Sequence, residues 1–375
     1  MPERATPPAS ARRRLPGPVI ELGRGVRRWR AKGPRLGNYQ PRSTLEVPVH
    51  LRSAACVPAV NFHTHLGRWL SPEGTWMEPD VDALVAMMRS CNIKAIVNLD
   101  GRWGAELEEN LDRYDRAHPG SFYTFCHVDW RLLDERDGSE RLVQSLQKSV
   151  SAGARGLKVW KDLGTNVHAG GRLVMADDPA LAPLWRAAGE LGLPVLSHVV
   201  DPVAFFRPVD YHNERLEELL RYPQNSRQAG GTQEFDRLLH AFEQVVAAHP
   251  GTNFVAAHGY YPENLAHVGA MMDRYPNFHI DLAWVHLQLG RQPRAAAALI
   301  NAHPDRVLFG TDVFPLRAEM LQTYFRFLET EDEAFAYTAE EPPGSGRWDI
   351  SGLGLPGPVL SALYRDNALR LLNGA

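Results

Sequence analysis

The sequence predicts an α/β protein folded as a (β/α)8 TIM barrel, and three observations lead there. Short apolar runs of strand character recur eight times between residues 60 and 312. Each gives way to polar or glycine-containing residues and then to a helical pattern, the alternation of repeated β–α units. The spacing of those units is close to that of a closed parallel barrel, with a doubly wound open sheet as the competing arrangement. A chain of 375 residues is also long enough to bury the core of such a cylinder.

The first strand is VNFHTH (60–65), in which alternation puts His63 and His65 on one face. KAIVNLD (94–100), FYTFCHVD (122–129) and GLKVWK (156–161) are the next three. PVLSHVV (194–200), NFVAAHG (253–259), NFHIDLAW (277–284) and RVLFGTD (306–312) complete the set. Between them, DVDALVAMMRSCN, SERLVQSLQKSVSAG, ALAPLWRAAGELG, QEFDRLLHAFEQVVAAHPG and PENLAHVGAMMDRYPN carry apolar residues at three- and four-residue spacing, and several end in Gly or Asn, as helices do. Two insertions interrupt the pattern, at 201–233 and at about 329–356. The second is polar and rich in Gly and Pro, which predicts a loop or lid. A final helix, PVLSALYRDNALRLL, begins after Pro356-Gly357 and is expected on the outside of the barrel. Residues 1–55 read as an N-terminal extension, partly disordered or wrapping the barrel, and 56–375 as the barrel domain with its C-terminal helical and loop insertion.

Composition narrows the function. Hydrophobic content of 44% and charged content of 23% are ordinary for a globular protein, and a net charge of -3 gives no reason to expect nucleic acid or an anionic membrane as partner. Cys56, Cys91 and Cys126 are too few and too scattered for a disulfide framework, so a reducing, cytoplasmic setting is expected. The first 35 residues hold ten Arg or Lys against two Glu. LPGPVIELGRGVRRW, broken by Pro, Gly and charge, excludes an export signal and leaves a solvated tail or a transit peptide. No segment has the apolar length of a membrane span.

His63, His65, His198, His258 and Asp312 all fall at C-terminal strand ends, the rim where barrel enzymes assemble their sites. Any one of them alone reads as easily as a hydrogen-bonded core residue. Together, imidazoles and a carboxylate form the ligand set preferred by Zn²⁺ and similar divalent ions.

On these residues the chain resembles the amidohydrolase superfamily. HTH in the first strand, His198, His258 and the GTD of the eighth strand look like its amidohydrolase-related (family 2) branch, and the closing YRDNALRLL is similar to the branch's C-terminal helix. That branch includes aminocarboxymuconate-semialdehyde decarboxylase, resorcylate decarboxylase and lactone or amide hydrolases. The resemblance implies that His63, His65 and His198 hold the metal, with Asp312 as ligand and general base. It implies that His258 either helps bind a second ion or polarises substrate. It further implies zinc, with manganese as the alternative, one ion rather than two, and a homodimer. The chemistry is sound by itself: a divalent cation lowers the pKa of bound water, and an adjacent carboxylate accepts its proton.

Lys158, which shares strand parity with Trp160, is a candidate to bridge two metals once carboxylated, to bind a substrate carboxylate, or to be a surface lysine; Lys161 lies on the opposite face or already in the loop. Other rim positions are Arg102, Trp103, His127, Asp129 and Trp130, then Phe205, Phe206, Arg207, His212 and Glu214, then Asp281, Trp284 and His286. Arg102, Trp130, Arg207 and Trp284 are the substrate-contact candidates, against the plainer reading of loop core and local ion pairs. An aromatic-walled pocket with cationic corners suits an aromatic or unsaturated acid. His118, His240, His249 and His303 are expected to be structural, and His168 to lie in a flexible loop. Three functions stay open: a metal-dependent hydrolase of an amide, lactone or related bond of a small molecule, a non-oxidative decarboxylase, and a non-catalytic binding barrel.

Overall fold

Eight parallel strands carry the architecture: β1 (Ala59–Thr64), β2 (Ile93–Asn98), β3 (Phe122–Thr124), β4 (Leu157–Val159), β5 (Val195–Ser197), β6 (Phe254–Ala256), β7 (Phe278–Asp281) and β8 (Val307–Leu308). The structure, a computed structural model, describes residues 43–374. The basic tail through residue 42 lies outside the described residues. Strands β1 to β3 pair in order, as do β4 to β8. Two seams close the cylinder. At one, Cys126 bridges Leu157 and the Lys158 N–H donates to the Cys126 carbonyl at 2.8 Å. At the other, the Phe62 N–H donates to Phe309 at 2.8 Å and the Asp312 N–H to His63 at 2.9 Å. The result is a closed barrel, not an open sheet.

Each strand is followed by its helix: α1 (Val81–Ser90), α2 (Gly104–Asn110), α3 (Gly138–Ala152), α4 (Ala182–Glu190), α5 (Gly231–Ala248), α6 (Leu265–Arg274), α7 (Pro293–Ala302) and α8 (Ala318–Glu329). Local sequence explains their limits and faces. Asp80 caps α1 by accepting from the Ala83 N–H at 2.9 Å. In α5, Phe235, Leu238, Leu239, Phe242, Val245 and Val246 form one buried stripe at helical spacing.

The terminal helix is not where it was expected. In α9 (Asn367–Leu372), Ala368, Leu371 and Leu372 join Val60, Phe62, Val97, Leu196, Val255 and Leu308, the inner layer of the barrel. The Asn367 amide donates to the carbonyls of Pro304 and Val307 at the start of β8, which fixes the helix at the N-terminal mouth. The upper interior is polar, so the apolar layer lies low and is covered by an apolar helix from below. Leu371→Ala is therefore expected to lower unfolding free energy by about 2–5 kcal/mol, read from denaturant titration; an unchanged midpoint would show that the helix seals nothing.

Both insertions are ordered by packing. Residues 201–233 form short helices, including Val203–Phe206 and Leu216–Arg221, with Phe206 edge-on to Phe235 at 5.2 Å. The 329–356 segment is a loop held by a Phe335–Ile350 bridge and by buried Tyr337, whose hydroxyl donates to Gly346 at 2.9 Å. Asp332 ties it down, accepting from the His50 N–H and from Arg326 Nε at 2.7 Å each. His168 lies in a small hairpin, His168–Ala169 against Arg172–Leu173. Among the described residues, no helix is long and apolar enough to cross a membrane.

Candidate metal centre

The loop ends above the strands hold the candidate ligands, and the backbone there is unusual. Arg102, His258, Trp284 and Asp312 follow β2, β6, β7 and β8, and all have φ between 53° and 57°. Non-glycine residues in this region are uncommon and cluster where surrounding structure enforces them, often at functional sites. Two glycines let β1 sit against its neighbours. A Cβ on Gly67 would lie 2.4 Å from the Asp100 Cβ, and one on Gly310 would lie 2.9 Å from the His63 Cβ. The glycine after HTH is thus a packing requirement.

Three of the five candidate side chains form one group at ligand spacing, and His65 and His198 adjoin it. One ligand atom each from His63, His258 and Asp312 lies within 4.8 Å of the others. Asp312 Oδ1 is 3.3 Å from His65 Nε2 and 3.7 Å from His63 Nε2. His198 Nδ1 faces His258 Nε2 at 3.2 Å.

The outer nitrogen of every one of these rings faces an oxygen that can only accept. His63 Nδ1 meets Asp281 Oδ2 at 2.7 Å, and His65 Nδ1 meets Asp100 Oδ1 at 2.6 Å. His198 Nε2 meets Asp201 Oδ1 at 3.3 Å, and His258 Nδ1 meets the Ala283 carbonyl at 2.9 Å. Each outer nitrogen must therefore carry the hydrogen, so in the neutral ring the lone pair points inward. This is the tautomer control that carboxylates and carbonyls exert on metal-binding histidines. It also leaves His198 Nδ1 and His258 Nε2 as two facing lone pairs, and Asp312 Oδ1 as a buried oxygen with no partner. Such a donor set fits a cation.

Electrostatics follow burial. Burial pushes His63 well below the ordinary imidazole value, aided by the charge of Lys158. It likewise takes His198 down to about 3. His65 moves up: burial opposes protonation, but the Asp100 carboxylate outweighs it. Asp201 is also buried, yet His198 and Lys161 hold its carboxyl well below the usual range. Lys158 is buried inside the barrel and its Nζ has no hydrogen-bond partner. Burial lowers it to about 8 against the pull of Asp281, Asp312 and Asp100.

Two cavities lie near this centre, and of the two only the smaller is lined by its side chains. One, of about 590 Å³, is lined by Trp69, Arg102, Trp130, Lys158 and Trp160 among others. Trp160 stands edge-on to Trp69 at 4.9 Å and to His65 at 5.6 Å. The Arg102 guanidinium lies over the rings of Trp69 and Trp103 at 5.0 and 4.2 Å. The other cavity, of about 270 Å³, reaches His198, His258, Asp312 and Trp284.

Of the expected rim residues, Arg102 and Trp130 therefore share the larger cavity with Lys158, and Trp284 lines the smaller one. Arg207 is exposed in an outer depression with His212 and Glu214, which shares Glu263 and Gln288 with the smaller cavity. Asp129 is spent on Arg131 and on capping the turn at Trp130. His286 is core, its Nε2 facing the Tyr337 carbonyl at 3.1 Å. Lys161 pairs with Asp201 at 3.1 Å. Sequence reasoning missed Asp100, Asp201 and Trp69. The first ends the NLD strand as His63 ends its own, and that terminal acid was the available signal; the Trp69 indole donates to it at 2.6 Å. Arg215 and Gln288 of the smaller cavity carried no signal at all.

A family model described as Amidohydrolase matches residues 101–374. No curated protein matches the chain. Among solved structures, 2,6-dihydroxybenzoate decarboxylase from Rhizobium is similar at 15% identity and a TM-score of 0.55, covering 84% of this chain and 99% of that one. An amidohydrolase from Burkholderia multivorans with bound zinc is similar at 15% identity and a TM-score of 0.50, over 84% and 99% of the two chains. A TIM-barrel protein from Bordetella bronchiseptica shares 13% identity at a TM-score of 0.52, over 84% and 98%. At such identities these structures show a common fold.

Proposed function

The chain belongs to the amidohydrolase family, whose members are metal-dependent enzymes acting on small molecules, and from that premise we propose a metal-dependent hydrolase. Its substrate is a small carboxylate-bearing or aromatic compound, cleaved at an amide, lactone or related C–N or C–O bond. The observation that carries this reading is the set of four imidazoles whose outer nitrogens face Asp281, Asp100, Asp201 and the Ala283 carbonyl, beside a buried Asp312 oxygen with no hydrogen-bond partner.

His63, His65, His198 and Asp312 would hold one ion, zinc suiting the nitrogen-rich set best and manganese being the alternative. Bound there, the ion would supply water of lowered pKa and would polarise a carbonyl. Asp312 accepts the water's proton and passes it to the leaving group. His258 has its Nδ1 hydrogen committed to Ala283, so its inward Nε2 acts as an acceptor or further ligand. Lys158 and Arg102 orient a substrate carboxylate, and the Trp69, Trp130 and Trp160 walls exclude water from the larger cavity. In this reading Lys158 serves the substrate rather than bridging two ions. The three free cysteines suit a reducing, cytoplasmic setting.

Decarboxylation is the second reading, favoured by one feature: an unpartnered lysine at the base of a tryptophan-lined cavity would also grip the carboxylate of an aromatic acid that loses CO₂. The test is a panel of aromatic acids, amides and lactones with zinc-loaded protein, following acid release against CO₂ release. Acid release from amides or lactones is expected; sustained CO₂ release from aromatic acids alone overturns the hydrolase reading.

A further inference from the structure

We propose that the smaller cavity, on the His198–His258 side of Asp312, binds the second part of a two-part substrate, a neutral fragment bearing a hydroxyl or amino group. The inference rests on the hydrolytic reading for which bond is cut, and on geometry for the rest.

The two cavities differ in what they leave unsatisfied. The larger presents the Lys158 Nζ, which has no hydrogen-bond partner although Asp281, Asp312 and Asp100 act on its charge. In the smaller, the cations are already matched: Lys161 meets Asp201 at 3.1 Å, and Arg215 meets Glu218 at 2.7 Å. Among the described residues, no surplus positive charge remains there for a carboxylate. What remains is neutral hydrogen bonding. Gln288 is 5% exposed, and its Oε1 has no partner. Arg215 is 2% exposed, and its Nε is likewise unpartnered. A buried acceptor without a donor is costly, and a ligand hydroxyl or amine satisfies it. Phe205, Trp284 and Val200 give the cavity apolar walls for the carbon skeleton of such a fragment.

The position relative to the reacting centre fixes the orientation. Asp312, His198 and His258 line this cavity, while Lys158 lies across the centre in the other. In the proposed pose, an acid held by Lys158 places the rest of the substrate past Asp312 toward Gln288. Hydrolysis adds water across the bond: the hydroxyl goes to the acyl carbon and the proton to the leaving nitrogen or oxygen. The fragment released toward Gln288 is then an amine or an alcohol, the donor its Oε1 lacks.

The test uses two probes with no hydrolysable bond, benzoate and an aryl ketone built on it, titrated calorimetrically into zinc-loaded full-length protein. Benzoate reports the larger cavity alone; para-(hydroxybutanoyl)benzoate spans both. The ketone is expected to bind about tenfold more tightly than benzoate, an increment of the size one satisfied buried hydrogen bond and its apolar contacts give. Gln288→Leu should remove most of that increment while leaving benzoate affinity unchanged, which also reports a folded protein. Val200→Phe, which fills the cavity from its apolar wall, should do the same without touching a polar group, and carries the test if Gln288→Leu does not fold. Equal affinity of the two probes for the parent, failure of both to bind, or an increment that survives both substitutions overturns the proposal. Because neither probe has a hydrolysable bond, a protein that releases only CO₂ but keeps the increment refutes the hydrolytic reading and leaves the subsite standing. Amide hydrolysis without the increment does the reverse.

Discussion

Asp312→Asn is expected to lower kcat by roughly 10²–10⁴-fold, the range of a lost general base, while the melting temperature stays within about 2 °C of the parent. The two halves of this expectation have separate causes. The chemical loss arises because an amide cannot take up a proton near neutrality, and because its charge is absent beside His63 and His65, whose Nε2 atoms lie 3.7 and 3.3 Å from Oδ1. The small structural cost arises from the backbone. Asp312 sits at φ 55°, a conformation that Asn and Asp adopt more readily than other non-glycine residues. Its N–H bond to His63 is made by the main chain and survives the change. Asp312→Ala would confound the two effects by adding backbone strain. Steady-state rates with the panel amides, alongside thermal melts, check both halves. Near-normal turnover in Asp312→Asn would remove Asp312 from the reaction.

The barrel was legible because each β–α unit repeats the same local physics. A buried parallel strand must be apolar, its helix must show one apolar face, and those patterns survive in the linear sequence. The candidate centre of His63, His65, His198, His258 and Asp312 was legible for a related reason: all sit where an apolar run ends, at the C-terminal rim where barrel enzymes build their sites. What stayed hidden depends on tertiary approach. Asp100 and Asp201 are ordinary acids until folding sets them against His65 and His198. Gln288 lies in a short helix after β7 and gains meaning only because the inserted segment carrying Arg215 folds over the same cavity. The terminal helix was misplaced because a Leu-rich helical face does not say which apolar surface it covers. The barrel floor and the barrel wall ask for the same residues.

Asp281 offers the sharper probe of the metal-centre assignment, since the change needed there is a single atom. Its Oδ1 accepts from the backbone N–H groups of His258 at 2.9 Å and Ala283 at 3.0 Å, and its Oδ2 faces His63 Nδ1 at 2.7 Å. In Asp281→Asn, Oδ1 can keep both backbone bonds, so the amide nitrogen is placed opposite His63. An amide N–H cannot face a ring N–H, and the imidazole must adopt the other tautomer, with its hydrogen on Nε2 and pointing into the site. His63 remains in place but presents a proton where a lone pair is needed, as in other histidine sites oriented by a carboxylate. Zinc affinity is expected to fall by about 10–100-fold, measured by competition with a chromophoric chelator, with little change in melting of the zinc-free protein. His63→Ala and His198→Ala, which delete the nitrogen outright, should leave less than one zinc per chain by elemental analysis. Full stoichiometry in both alanine variants would remove those residues from the ligand set. If the alanine variants lose zinc but Asp281→Asn binds it as tightly as the parent, His63 is a ligand whose orientation is set by packing, and the inward-facing lone pair is not Asp281's doing.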